Sequence, residues 1–302
     1  MILCIGQSCY DLIFPIHEPL IENQKYRIYE HQECIGAPAL NAASLIARWQ
    51  EPVGLISRVG NDVYGKLILD GLAQLGVDTQ GVTVDEQFST PLSAVIPNTL
   101  TGSRTIFNRP GVKNPCTFTF PKGEINVLLM DGYEMQASKE AMATYPHAKT
   151  IIDAGSYKGD TRELGKHVDY LVCSQDFACQ CTNHKLQTWE DACTIYAQLK
   201  AYNPREVIVT LGERGCLYEH EGTLCHLPAY QVDVLDTTGA GDIFHGAFAW
   251  GIAKGLSLPE TLRISSAAAG LSVGVMGGQT SIPSLQAVQK LMREGNRYPS
   301  GL

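Results

Sequence analysis

The chain has 302 residues, 44% apolar and 18% charged, with a net charge of −8 and a pI near 5.5. These values describe a globular protein able to bury a substantial core, and they argue against a broad nucleic-acid surface. The ten cysteines form no regular framework. Cys179 and Cys181 make a C-x-C without a second pair at zinc spacing, so free thiols in a reducing cytosol are expected. No apolar run is long enough to span a bilayer, and "MILCIGQSCYDLIF" has neither a basic n-region nor a cleavage site. A cytoplasmic protein is the expectation.

In chain order, the first apolar run, Ile2 to Ile5, predicts a buried strand that leads through Gly6 to Asp11 near its C-terminal end. Residues 24–35, "QKYRIYEHQECI", mix β-formers with polar residues, as a half-exposed strand does. "GAPALNAASLIARWQ" opens on Gly36 and Pro38 and continues as a helix with small residues on one face. A strand over 53–60 and a helix over 62–77 follow. Residues 92–97 and 103–107 read as a hairpin joined through "NTLTG".

Beyond it, the apolar runs "INVLLMDG", "KTIIDAG", "VDYLVCSQ" and "EVIVTLG" alternate with helical patterns such as 186–200. The alternation predicts an α/β fold, a mainly parallel sheet covered by helices on both faces. Ligands of such sheets sit outside the carboxyl ends of the strands. Asp11, Gly132, Asp153, Ser174 and Gly212 all fall there. The half-exposed strands at 24–34 and 92–107 suit a separate small β-layer over that face.

"YQVDVLDTTGAGD" is β-like up to Leu235, and "DIFHGAFAWGIAKG" has helical spacing, so the loop between them ends a strand and opens a helix. Free N–H groups at a helix start form an anion site, reinforced by the helix dipole. Asp242 in the first turn adds a carboxylate, and the two together suit phosphoryl transfer to a hydroxyl. A short "GAGD" alone would be explained by a tight turn and a first-turn acid. The dinucleotide motif G-x-G-x-x-G fails at Phe244, and no P-loop G-K-[ST] occurs.

"DTTGAGDIFHGAF" resembles the C-terminal signature of the PfkB, or ribokinase-like, carbohydrate kinases. "GAPALNAASLIARWQ…GLISRVGNDVYGKLILDGLAQLGVDT" resembles the N-terminal signature and its continuation, and "VIVTLGERGCLY" the nucleotide-side strand and turn. With three motifs in order, the resemblance is nearly full-length. It implies one ribokinase-like α/β domain over 1–302 with a β-lid from about 12–35 and 88–112. It also implies ATP as donor, with Mg²⁺, and a small sugar as acceptor.

Carried over residue by residue, Asp242 is the base, and Gly239, Ala240 and Gly241 form the anion hole. Asp11, Gly36 and Asn41 match positions that bind sugar hydroxyls, and Thr210, Gly212 and Gly215 match the turn that meets the nucleotide. Asp236, Thr238 and Ser281 match positions that hold a monovalent cation, K⁺, in some members. One departure concerns Mg²⁺: in place of Asn-x-x-Glu stand Ser174-Gln175-Asp176-Phe177, leaving Gln175 or Asp176 to substitute, or the nucleotide itself to hold the metal. His245, one turn past Asp242, reads as a packed or solvent-facing histidine rather than a second base.

An anionic acceptor would need positive side chains. Lys25, Arg27, Arg104 and Arg109 are available on the lid, and Lys25 stands at a spacing before "GAPALN" similar to that of an anion-binding lysine in sulfosugar kinases. Lys25, Asn108 and Arg109 complete the expected substrate-binding set. Tyr133, however, stands near where phosphosugar and sulfosugar relatives offer an arginine, so a neutral monosaccharide, a ketohexose or pentose, is expected. Alternatives are a sugar-phosphate or sulfosugar kinase, a nucleoside kinase using the rings of Tyr26, Tyr29 and Phe107, and a sugar-binding regulator without catalysis. The lid strands leave an edge through which a homodimer could form.

Overall fold

The apolar runs spaced along the sequence become the strands of one sheet. The computed structural model describes residues 1–101, 103–112 and 114–299. Gly102, in the expected hairpin connection, and the last three residues of the expected domain lie outside them. Strands β1 (Ile2–Ile5), β4 (Val53–Gly60), β5 (Val82–Asp85), β8 (Val127–Met130), β9 (Lys149–Ala154), β10 (Tyr170–Ser174) and β11 (Glu206–Thr210) run parallel. β12 (Cys216–His220) and β13 (Thr223–Leu227) add an antiparallel edge, giving nine strands in the order β13-β12-β11-β10-β9-β8-β1-β4-β5.

Both faces of this sheet are covered, which is why its strands read as continuous apolar runs. Ile2, Cys4 and Leu129 point into one core, and Leu3, Ile5 and Leu128 point into the other. The helices over the first core are α1 (Pro38–Arg48), α7 (Ala240–Ala253), α8 (Leu258–Ser272), α2 (Val63–Leu75) and α9 (Leu285–Glu294). α3 (Met135–Thr144), α4 (Gly159–Leu164), α5 (Gln175–Thr182) and α6 (Trp189–Tyr202) cover the second.

α7 is buried all round from Ile243 to Gly251, as a helix apolar on every side must be. It runs close along α1 because both carry small residues at the contact. A Cβ on Gly246 would lie 2.9 Å from the Cα of Ala42. That close approach brings the first turns of the two helices to one place.

The remaining strands, β2 (Cys9–Ile13), β3 (Gln32–Gly36), β6 (Leu92–Pro97) and β7 (Arg104–Arg109), make a second sheet in the order β3-β2-β6-β7. The expected hairpin is β6–β7, and the separate small layer is present.

Three expectations need correction. Asp11 does not follow β1 in the large sheet; it lies within β2, because the chain turns out of the sheet after Gly6 and pairs with β3 and β6. The strand expected over 24–35 is confined to Gln32–Gly36; residues 24–31 are irregular and largely exposed, so their side chains gain nothing from pairing. No strand leads to Leu235 either. Tyr230 makes a single bridge to Arg297, and residues 231–235 are irregular. Among the described residues no helix is long and apolar enough to cross a membrane, and the cysteines are free.

Candidate active site

Two turns and two helix starts build the site. Gly239 caps α7 with φ 76°, a left-handed value, and a Cβ there would press on the Gly278 Cα at 3.0 Å. Ala240 and Gly241 follow as the first helical residues, where backbone N–H groups are short of carbonyl partners; the Ala240 N–H makes a long, 3.4 Å contact with the Thr237 carbonyl. Gly241 is exposed and Asp242 half-buried beside it. Asn41 on α1, 4% exposed, donates from Nδ2 to Asp242 Oδ2 at 2.7 Å. Its Oδ1 is buried and has no partner among the described residues.

Asp11 reaches the same region from the small sheet. A Cβ on Gly36 would lie 2.2 Å from Asp11 Oδ2, so only glycine leaves room for that carboxylate. Cys34, Asp11, Ser93 and Asn108 stand opposite one another across the four strands and therefore share a face. Asn108 Nδ2 donates to Ser93 Oγ at 3.0 Å along this row. Ala37, which starts α1, takes φ 99°, an uncommon conformation for a residue with a side chain.

Gly132, Asp153, Ser174 and Gly212 stand at the carboxyl ends of β8 to β11 as expected. Sequence reasoning did not single out Asp131 or Lys158, and it gave Asp153 and His245 no role. Asp131 is buried and accepts from the N–H groups of Gln7, Ala39 and Tyr133. Burial pushes its carboxyl up to about 7, Asp153 adds repulsion, and the three donors oppose the rise. Asp131, Asp153, Tyr133 and Lys158 line a cavity of about 280 Å³, with the Lys158 ammonium 5.5 Å over the Tyr133 ring.

Asp242 is raised well above the ordinary carboxylate range. Burial is the main cause and repulsion from Asp153 the next, while the Asn41 amide and His245 act against it. Burial also raises Asp11, against hydrogen bonds from Cys9 and Ser93. The signal for an acid cluster was present in the "MDG" and "IIDAG" strand ends. Which acids meet Asp242 depends on the strand order β9-β8-β1.

On the other side, Thr210 stands level with Ser174 across β11 and β10, and its Oγ1 donates to the Cys173 carbonyl at 3.3 Å. Gly212 (φ 62°) and Gly215 (φ 95°) shape the turn that follows; a Cβ on Gly215 would strike the Leu227 carbonyl oxygen. In the departing segment, Ser174 caps α5, Gln175 Oε1 accepts from Arg214 Nη2 at 2.5 Å, and Asp176 is exposed. Phe177, at the position of the missing Glu, is fully buried against Tyr157 and Tyr202. Asp236 is buried and accepts from the N–H groups of Thr238 and Gly277, and the nearby Thr238 Oγ1 is buried with no partner among the described residues. Ser281 Oγ donates to the Gly278 carbonyl.

The expected cations do not converge. Lys25 and Arg27 are exposed in irregular chain rather than on a strand. Arg109 donates to the Thr90 carbonyl at 2.8 Å, and Arg104 Nη1 reaches Thr237 Oγ1 at 2.7 Å.

Residues 1–285 match the pfkB family carbohydrate kinase model. The chain is 25% identical over 300 residues to the ribokinase of Bacillus subtilis, covering 96% of this chain and 99% of that one. The structure of Arabidopsis thaliana ribokinase complexed with ribose and ATP superposes with a TM-score of 0.81 at 25% identity, covering 97% and 98% of the two chains. The nucleoside kinase of Burkholderia thailandensis, in complex with inosine, shares the fold at a TM-score of 0.77 and 19% identity, covering 99% and 100%. The chain belongs to the pfkB family of carbohydrate kinases and is an ATP-dependent sugar kinase.

Proposed function

We propose that the enzyme transfers the γ-phosphoryl group of ATP to a hydroxyl of a neutral monosaccharide, a pentose or ketohexose. Asp11 accepts vicinal hydroxyls over the Gly36 backbone, and the Asn41 Oδ1, buried and without a partner among the described residues, accepts another. Asn108 extends this row from the small sheet. Asp242 takes the proton of the attacking hydroxyl, while the N–H groups of Gly239, Ala240 and Gly241 receive charge on the transferred group. Thr210, Gly212 and Gly215 hold the nucleotide.

Asp236, Thr238 and Ser281 fit a monovalent cation, since the Thr238 hydroxyl, buried with no partner among the described residues, stands beside a buried carboxylate; such an ion would add positive charge behind the anion hole. The Ser174–Phe177 segment does not reproduce a Mg²⁺ shell, so Mg²⁺ enters with the nucleotide's phosphates. In this reading residues 1–302 act as one cytoplasmic domain, the small sheet is the lid, and copies pair through it. Ile106 and Phe107, exposed on its edge strand β7, support the pairing.

The observation that carries the neutral acceptor is the charge at the site. Asp11, Asp131, Asp153 and Asp242 surround it, while Arg109 is engaged with the Thr90 carbonyl and Arg58 with Asp85. Against these four acids the cavity lined by Asp131 and Asp153 offers Lys158, so a dianionic acceptor would meet a net negative site. A nucleoside gains little support from Tyr29, 91% exposed, or from Tyr26, whose hydroxyl is tied to Pro19 and Ile21. Specificity constants from ADP release with ribose, fructose, their phosphorylated forms and nucleosides test the reading. Preference for the neutral sugars supports it. Preference for the phosphorylated forms, abolished by Lys25→Ala or Arg109→Ala, overturns it.

A further inference from the structure

His245 stands one turn beyond Asp242 on α7 and is 3% exposed. Its Nδ1 lies 2.6 Å from the Gly241 carbonyl oxygen and 3.3 Å from Asp153 Oδ2. Its Nε2 lies 3.2 Å from the Val172 carbonyl oxygen. All three partners are acceptors. A neutral imidazole donates from one nitrogen only and would turn a lone pair of this buried ring toward an acceptor. A ring that donates from both nitrogens satisfies them and carries a positive charge. Asp153, its side chain 11% exposed, supplies the opposite charge.

The pair lies where charge governs the base. Asp153 repels both Asp242 and Asp131, whereas His245 attracts Asp242. The other groups facing this point come from several elements: Asp11 from β2, the neutral Asn41 amide from α1, Asp131 beyond β8, the Val172 carbonyl from β10, and Lys158 and Asp160 at the start of α4, which share a cavity with Asp153. Cys4 of β1 faces Asp131 as a thiol that burial keeps protonated. Glu260 and Arg263 of α8 flank Thr261, which packs on Gly251 toward the other end of α7.

We propose that His245 and Asp153 form a charge-balanced positioning pair. The imidazolium cancels the Asp153 carboxylate, so that Asp242 ionises at neutral pH. It also ties the Gly241 carbonyl, so that the first turn of α7 keeps its N–H groups aimed at the transferred phosphoryl group. The inference rests on Asp242 being the base.

The test is the pH profile of kcat/KM, measured on the whole enzyme with ATP and its best neutral sugar, for wild type, His245→Gln, Asp153→Asn and the double variant. The acidic limb reports the base of the free enzyme. His245→Gln moves that limb to higher pH by roughly one pH unit or more, about a tenfold loss of rate on the limb, because the Asp153 charge is left unbalanced. Asp153→Asn moves it to lower pH, and the double variant returns toward wild type. A histidine that only packs would lower thermal stability and scale the rate equally at every pH; an unmoved limb overturns the proposal. Should His245→Gln fail to fold, Asp153→Asn decides alone, and a limb that does not fall contradicts the pair. Asp242→Asn separates the two readings. If it is active across the profile, the base assignment and the pair fall together; if it is inactive and the limbs of the pair variants stay put, only the pair falls.

Discussion

Asn41 and Asp242, 201 positions apart in the chain, are joined by a 2.7 Å hydrogen bond from the amide to the carboxylate. The donor favours the charged form and so acts against the burial and Asp153 repulsion that raise the Asp242 carboxyl. In Asn41→Ala that support is gone, and the acidic limb of kcat/KM moves to higher pH. Turnover near about pH 6 should therefore fall more than turnover near about pH 8. Equal losses at both would show that the bond does not tune the base.

The contact depends on how closely α1 and α7 pack. Gly246→Ala places a Cβ 2.9 Å from the Ala42 Cα, against backbone that cannot swing aside. Overpacking of this kind costs about 1–3 kcal/mol. Because the strained contact is one turn from Asp242, kcat should fall as well. Thermal melts and steady-state kinetics on the same variant check both; an unchanged melting temperature would mean that the helices have slack.

Asp242 should also cost the fold something at neutral pH. Its folded pKa is raised above the unfolded value, so the native state holds more protons than the unfolded chain between the two, and stability falls as pH rises through that window. Asp131 acts in the same direction, its window ending at about 7. Asp62 acts the other way: burial opposes ionisation, but the Gly65 and Thr90 N–H groups outweigh it and lower its pKa, so that support is lost as pH falls. Asp242→Asn should therefore melt above wild type at pH ~8, with the gap narrowing toward pH ~4 and closing below it, where the acid becomes neutral in both states. A gap that does not change with pH would contradict this account.

Arg104 on β7 reaches across to Thr237, two residues before Gly239, the cap of α7. This bond couples the small sheet to the loop that shapes the site. Sugar binding should slow hydrogen exchange in β6 and β7, since closing over the substrate excludes water. Arg104→Ala should weaken that protection and lower kcat/KM severalfold. Equal protection of these strands with and without sugar would argue against a closing lid.

The parallel sheet was legible because strands buried on both faces leave uninterrupted apolar runs, such as Ile2–Ile5 and Val207–Val209. The start of α7 was legible because Gly239 and Asp242 are required by backbone geometry and local charge. Residues 24–31 misled because Tyr26, Ile28 and Tyr29 have high β propensity, yet among the described residues no strand pairs with them. Asp11 was placed on the right face but in the wrong sheet, since a five-residue run cannot say which strands it will join. The Asp153–His245 contact was not legible. It is fixed by β9 and β10 lying together beneath α7, a matter of strand order rather than sequence pattern.

The most direct measurement is ADP release by Asp242→Asn at saturating sugar and ATP, paired with ATP affinity measured by calorimetry on the same variant. The amide keeps the shape of the carboxylate and its contact with Asn41 but cannot accept the hydroxyl proton. The account predicts turnover lower by roughly 10²- to 10⁴-fold with ATP affinity largely unchanged. Turnover close to wild type would contradict it and remove Asp242 from the role of base.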